Sequence, residues 1–377
     1  MKVLHSINTL GENQGGPSAS TYNLTKSLRE LGVDVTLLCY TPKHNEKPIA
    51  EDSFIVSLDS PFESRFGVSY SPNQYLKKNI TNFDIVHAQG LWQYMPNIST
   101  KYALNNSVPY IISTRGMLYE NVLKGSIVKN LALSIYQKSL LNKASVVHAT
   151  CKQEYIFNRK AGVRSPIAII PNSVEFDIND VVENTKKNQI GFIGRLHPIK
   201  NIDLLIKAWN SLGVKTESWE LVLIGGGDED YVNYLKSLAH ENSNKNIIFK
   251  GFAHGADKQS IMNSFKATVL VSKSENFGMS VVESLALKIP VIASNTTPWD
   301  DLEIYNCGWW IDNSISSIAN TLDKVFSTSI QELKQMGENG RSLIEKKYST
   351  QAVTKQMVQV YNWILNNEVK PDFVYLD

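Results

Sequence analysis

What this 377-residue chain has little of narrows the field first. It has three cysteines, Cys39, Cys151 and Cys307. Their odd number argues against a disulfide framework, and their wide separation gives none of the close pairs that zinc sites use. No apolar stretch approaches the roughly 18 residues a membrane-spanning helix needs. The opening MKVLHSIN lacks the longer apolar run and the small-residue cleavage site of a secretory signal, and reads instead as a first β-strand. An excess of one charge is missing too: 38 basic against 36 acidic residues leave a net +2, which gives no reason to expect nucleic acid as a partner. No segment repeats with a period of 20–50 residues. The run Gly225-Gly226-Gly227 lacks the Gly-x-Gly-x-x-Gly spacing of a dinucleotide fingerprint and reads as a turn. These absences suit a reducing, cytoplasmic setting.

What is there is ordinary in amount and ordered in pattern. Apolar residues make up 42% and charged residues 20% of the chain, as in globular proteins. The length calls for two cores. Short β-branched runs alternate with helical segments, the mark of parallel sheets with crossover helices. Strands are expected at Val3–Ile7, Val33–Cys39, Phe54–Leu58, Ile85–Ala88, Tyr110–Ser113, Val146–Ala149 and Ile167–Ile170. A first helix is expected from Pro17 to about Leu31, ended by Gly32. A polar stretch, Asp177–Asn188, reads as a linker. The alternation restarts at Gln189–Ile193, Leu221–Ile224, Asn246–Phe249, Thr268–Val271 and Val291–Ala293, and the chain from Ile315 onward reads as helical. The expected division is a first domain over residues 1–173, a second over 174–353, and a helix over 354–377 returning to the first.

The second half carries the densest chemistry. In Ser274-Glu275-Asn276-Phe277-Gly278-Met279-Ser280, a strand feeds a loop and a helix begins near Gly278, with Glu283 about a turn and a half along. Free amides at that helix start, near Phe277 to Ser280, can receive a diphosphate, and Gly278 lets it approach the backbone. Glu275 and Glu283 flank the site as acceptors suited to sugar or ribose hydroxyls. Gly194-Arg195-Leu196 follows another strand, with Lys200-Asn201 just before the next helix. Ligands bind at the carboxyl ends of such strands, and an arginine fork plus a lysine point charge neutralise a diphosphate.

Together these segments resemble glycosyltransferase family 4, a retaining family with the GT-B fold. The resemblance rests on Glu275-Asn276-Phe277-Gly278 with Glu283, and on Gly194-Arg195-Leu196 with Lys200-Asn201. One departure is Asn276, where glycine is more frequent. The resemblance implies an α/β architecture of two Rossmann-like, doubly wound domains facing a cleft. It implies that Arg195 and Lys200 hold the donor diphosphate, that Glu275 binds the transferred sugar, and that Glu283 binds the ribose. No cofactor or metal is expected, because cationic side chains take the metal's place.

The first half offers three further segments. Gly15-Gly16-Pro17 opens a helix after the first strand, and family members approach donor phosphate or acceptor with such a glycine pair; a plain turn is the alternative. His87 ends a strand, and by resemblance contacts the transferred sugar near its 6-position; Gln89 stands where a second histidine is frequent, and a buried core histidine is the alternative. Arg115-Gly116-Met117-Leu118 resembles a signature of bacterial members that build surface polysaccharides, which puts Arg115, Gly116 and Met117 on the acceptor side, with Arg115 at an acceptor phosphate. Nine basic residues against two acidic ones lie between Arg115 and Arg164. Leu131, Ile135 and Leu141 form an apolar stripe on a helix over Ile127–Leu141, which suits either core packing or an anionic membrane, here the inner face of the plasma membrane.

The resulting expectation is transfer of a hexose or N-acetylhexosamine from a nucleotide-diphosphate sugar, with uridine diphosphate the commonest carrier in the family. The acceptor would be a glycan or polyprenyl-diphosphate-linked saccharide of a bacterial surface polysaccharide such as O-antigen or capsule. Two other readings are a nucleotide-sugar epimerase of the same fold and a non-enzymatic nucleotide-sugar binding module.

Overall fold

The structure is a computed structural model that describes residues 1–12, 16–42, 46–59, 69–124, 126–173, 186–240, 246–253, 255–275, 277–366 and 368–376. Gly15, Asn276 and most of the expected linker lie outside the described residues. The chain divides into two compact units, Met1–Glu175 with Ser349–Asp377, and Phe176–Tyr348.

The first unit is built on eight strands: β1 (Lys2–Thr9), β2 (Asp34–Tyr40), β3 (Ile55–Leu58), β4 (Ile85–Gln89), β5 (Tyr110–Ser113), β6 (Val146–Ala149), β7 (Ile167–Ile169) and, from the C-terminus, β14 (Val374–Tyr375). Their order is β14-β7-β6-β5-β4-β1-β2-β3. All pairs are parallel except β14 with β7. The β4–β6 runs are buried along their whole length, the signature of strands covered on both faces. The C-terminal helix Thr350–Asn366 packs beside the first helix, Gly16–Glu30, sharing a core of Leu24, Leu28, Val353, Met357 and Tyr361.

The second unit holds β8 (Gln189–Ile193), β9 (Glu220–Ile224), β10 (Ile247–Gly251), β11 (Ala267–Leu270), β12 (Val291–Ser294) and β13 (Gly308–Ile311), all parallel, in the order β10-β9-β8-β11-β12-β13. Strands β13 and β14 were not expected. β13 is four residues that open on glycine and contain two tryptophans, and β14 is two residues. Both are too short to show a period.

In each sheet the strand order reverses once, between β1 and β4 in the first unit and between β8 and β11 in the second. Chain segments leave such a switch point in opposite directions and open a crevice at the carboxyl ends. This rule decides where the candidate residues fall. Gly194 to Lys200 follow β8, and Glu275 to Ser280 follow β11.

The expected helix over Ile127–Leu141 departs from regularity. It runs α over Ile127–Ala132, takes five-residue π turns over Leu133–Gln137, and resumes α over Lys138–Lys143. The wider turn rotates the stripe: Leu131 and Ile135 are 59% and 68% exposed, whereas Leu141 is buried. The three residues therefore do not form one face.

Candidate active site

In the second unit two loops are tied into one platform. The Lys273 amide donates to the Ile199 carbonyl at 2.8 Å. Asn201, held in the left-handed region with φ of 58°, donates through Nδ2 to Asn313 Oδ1 at 2.9 Å. Asn313 in turn donates to the carbonyls of Val271 and Ser272 at 3.1 and 3.2 Å. The Ser272 carbonyl also accepts from Ser294 and Thr296 hydroxyls. On this frame the Lys200 ammonium donates to Glu275 Oε1, which also accepts from the Ser272 hydroxyl at 2.8 Å. The two charged side chains are only 19% and 13% exposed. Arg195 is exposed, and among the described residues it has no hydrogen-bond or ion-pair partner.

The loop after β11 turns into the helix Met279–Ala286 through Gly278, whose φ of 84° lies in the left-handed region. A Cβ there would stand 2.8 Å from Leu270 Cδ2, so glycine is required twice, by dihedral and by space. Phe277, expected among the donor-binding residues, is 5% exposed. Its ring sits against Trp299 and Tyr348, and its carbonyl accepts from the Trp299 indole. Its side chain anchors the loop and leaves only backbone for a ligand. Met279 and Ser280 occupy the first helical turn, half-buried. Gly225 and Gly227, read from sequence as a turn, also allow close packing: a Cβ on either would fall about 2 Å from the carbonyl oxygens of Gly194 and Leu196 respectively.

One charged partner escaped the sequence reading. Lys258, in the helix Gly255–Asn263 after β10, donates to both oxygens of Glu283 at 2.8 and 2.7 Å. Its position beyond the carboxyl end of a strand was the available signal. Ser272, a fully buried serine below Glu275, gave no such signal. Among the described residues no cluster of three His, Cys, Asp or Glu side chains is arranged for a metal ion.

The first unit corrects three expectations. Arg115 spends all five N–H donors inside the unit. They go to Gln89 Oε1 twice (3.2 and 2.7 Å), Ser20 Oγ (2.9 Å), Asn172 Oδ1 (2.5 Å) and Thr21 Oγ1 (3.4 Å). Burial lowers its pKa to about 10 against the opposing pull of Glu154. It is a clamp joining the ends of β4 and the first helix, with no N–H left for an acceptor phosphate. The Gly116 amide is bonded to Glu154 Oε1 at 2.5 Å, and Met117 Sδ accepts from the Leu91 amide at 3.0 Å. Both sit inside the network instead of on an acceptor surface. Gly16 stands exposed at the start of the first helix, with nothing within 4 Å of a built Cβ.

His87 is fully buried, and both ring nitrogens are taken: Nδ1 by the Tyr361 hydroxyl at 2.8 Å and Nε2 by the Ser113 hydroxyl at 2.8 Å. Both nitrogens are thus engaged within the unit, as in the buried-histidine alternative. The bonds extend in both directions. Tyr361 meets His5 Nε2 at 2.9 Å, and Ser113 meets His148 Nδ1 at 2.7 Å. The Ile170 carbonyl, which can only accept, lies 2.7 Å from His148 Nε2. With neutral rings this end sets every proton: His148, His87 and His5 each donate from Nε2, and the Ser113 and Tyr361 hydroxyls point toward His148 and His87. Burial, followed by the Arg115 charge, holds His5 and His148 down to about 3. Burial, and then the neighbouring His5, His148 and Arg115, push His87 well below its usual value.

These histidines protonate near 6.5 in an unfolded chain but stay neutral when folded, so stability is complete above pH 6.5 and is lost as pH falls toward 3. Each histidine should contribute a slope of about 1.4 kcal/mol per pH unit inside that window. Unfolding midpoints followed from about pH 7 to 4 should show a shallower fall in His148→Gln than in the parent. Equal slopes would mean that His148 is already charged in the fold.

A family model described as Glycosyltransferase Family 4 matches residues 14–178, and one described as Glycosyl transferases group 1 matches residues 173–343. The poly(ribitol-phosphate) alpha-N-acetylglucosaminyltransferase of Staphylococcus aureus (strain COL) is 27% identical over 177 residues, 46% of this chain and 35% of that protein. The capsular polysaccharide biosynthesis glycosyltransferase CapM of Staphylococcus aureus is 27% identical over 179 residues, 47% of this chain and 46% of that protein. The matched region spans less than half the length of either relative. Among solved structures, Anabaena HepE in complex with UDP and glucose has a TM-score of 0.71 over 95% of this chain and 98% of that chain, at 17% identity. With one family model on each half and a GT-B neighbour in fold along nearly its whole length, the chain belongs to the family 4, group 1 glycosyltransferases of the GT-B fold.

Proposed function

We propose that the chain transfers a hexose or N-acetylhexosamine, with retention at the anomeric carbon, from a uridine-diphosphate sugar to a saccharide acceptor of a bacterial surface polysaccharide. The observation that carries this reading is the pairing of Lys200 with Glu275, with an exposed Arg195 after the same strand as Lys200 and the Gly278-started helix after Glu275. In the reaction an acceptor hydroxyl attacks the anomeric carbon and nucleoside diphosphate leaves. Positive charge develops on the sugar and negative charge on the diphosphate. Arg195, Lys200 and the amides at Met279 and Ser280 are aimed at the second, the kind of preorganised electrostatic contribution that is often the largest. Glu275 takes sugar hydroxyls. Glu283, with Lys258 on both oxygens, retains lone pairs for the ribose. No metal ion is required in this scheme, so transfer should survive EDTA.

The donor assignment draws support from the UDP and glucose bound to Anabaena HepE, and the acceptor assignment from the capsular and poly(ribitol-phosphate) relatives. Release of UDP that rises with added acceptor supports transfer. Interconversion of free donor would instead indicate epimerisation, and silence a binding module. The same reading includes a peripheral contact with anionic membrane through Val128, Leu131 and Ile135, 63%, 59% and 68% exposed, near Lys124 and Lys129. Ile135→Glu should abolish co-sedimentation with acidic vesicles; undiminished binding would remove this contact.

A further inference from the structure

Outside the donor site, the first unit contains an open cavity of about 700 Å³ beside the helix Tyr94–Asn105. Trp92, Tyr94, Asn97, Lys101, Asn105 and Tyr136 line it, together with the aliphatic Ile98, Leu104, Ile135 and Leu140. It begins just past the carboxyl end of β4, at the first sheet's switch point, where open α/β sheets bind ligands. Trp92 there holds φ at 65°, in the left-handed region that bulky residues rarely adopt, and such strain clusters at functional sites. The cavity then follows the helix for about 16 Å.

The spacing of its polar residues identifies the occupant. Asn97, Lys101 and Asn105 recur every four residues, so they share one face and repeat about every 6 Å. Among the described residues none of these three side chains has a hydrogen-bond or ion-pair partner. An isoprenyl chain laid along this row would strip water from two amides and an ammonium without replacing their bonds. A polyhydroxylated chain would bond at each step, while Trp92, Tyr94 and Tyr136 present rings to the apolar faces of sugars. Among the described residues no carboxylate lines the cavity, so phosphate or acidic substituents on the chain meet Lys101 without repulsion. The volume lies within the range of small-molecule sites.

We propose that this groove seats the acceptor's glycan chain, the sugars behind the hydroxyl that is attacked. The inference rests on the transfer function proposed above. The test uses the full-length protein on an array of bacterial surface-polysaccharide fragments, with farnesyl phosphate as an isoprenyl probe and UDP as a separate donor-site probe. The parent should retain at least one oligosaccharide. Asn97→Ala, Lys101→Ala and Tyr136→Ala should each weaken that binding by about tenfold, with melting temperature and UDP affinity unchanged. Absence of any bound oligosaccharide, or binding that ignores all three substitutions, overturns the proposal. Farnesyl phosphate binding that the substitutions abolish overturns it too, in favour of a lipid seat. Failure of UDP to bind the parent would instead indict the transfer function and leave the groove to be judged by the oligosaccharides alone.

Discussion

Lys200→Ala should lower the rate of transfer by about 10²–10³-fold, the usual cost of removing one preorganised charge from a transition state. The substitution takes a cation from the leaving diphosphate and leaves Glu275, 13% exposed, without its ammonium partner. Glu275→Gln should lower the rate strongly for a different reason: the amide keeps the shape but not the charge that grips sugar hydroxyls and holds Lys200. Because the two side chains bond one another, their effects should not add. The double variant should fall short of the product of the singles, as residues in direct contact do. Both proteins should melt within a few degrees of the parent, since the two loops are tied by Asn201, Asn313 and the Ser272 carbonyl, bonds that neither substitution touches. Strictly multiplicative effects, or near-normal transfer in either variant, would separate the pair from the chemistry.

The second large effect concerns stability. Glu154 is fully buried in the first unit and accepts from the Thr114 hydroxyl (2.7 Å), the Gly116 amide (2.5 Å), and the amide and hydroxyl of Thr150 (2.6 and 2.7 Å). Its charge is also the one that opposes the burial penalty on Arg115. Glu154→Ala removes the acceptor of four hydrogen bonds and the negative charge that offsets the burial penalty on Arg115. Breaking a buried charged network of this kind costs about 3–5 kcal/mol. For a unit of this size that corresponds to a fall of about 6–20 °C in melting temperature. A shift of under about 2 °C would mean that water reaches the site and replaces the carboxylate. The loss should appear in the transition of the first unit, because every partner of Glu154 lies there.

The fold was legible because its signal is repetitive. Each long parallel strand announces itself as a β-branched run between helices, and the two switch points follow from strand order. The placement of Arg195, Lys200 and Glu275 was legible for the same reason: their position after β8 and β11 is a property of the topology, and their charge is visible in the sequence. The first unit's site was not. Arg115, Gly116 and Met117 look functional in sequence because they resemble a signature of surface-polysaccharide members, and His87 because it ends a strand. Whether such a residue faces a ligand or closes an internal network depends on partners far away in the chain, such as Asn172 for Arg115 and Tyr361 for His87. No local pattern encodes a bond across 274 residues. Lys258 escaped for the converse reason, since its partner Glu283 was visible but their pairing is tertiary. The π turn at Leu133–Gln137 similarly defeated a helical projection that assumed a constant period.

A crystal structure with uridine diphosphate tests the central claim most directly. The diphosphate should lie against Arg195, Lys200 and the backbone at Gly278–Ser280, with the ribose hydroxyls at Glu283 and the Lys200–Glu275 contact opened or shared. Uridine diphosphate bound elsewhere, with Lys200 and Glu275 still engaged only with each other, would contradict it.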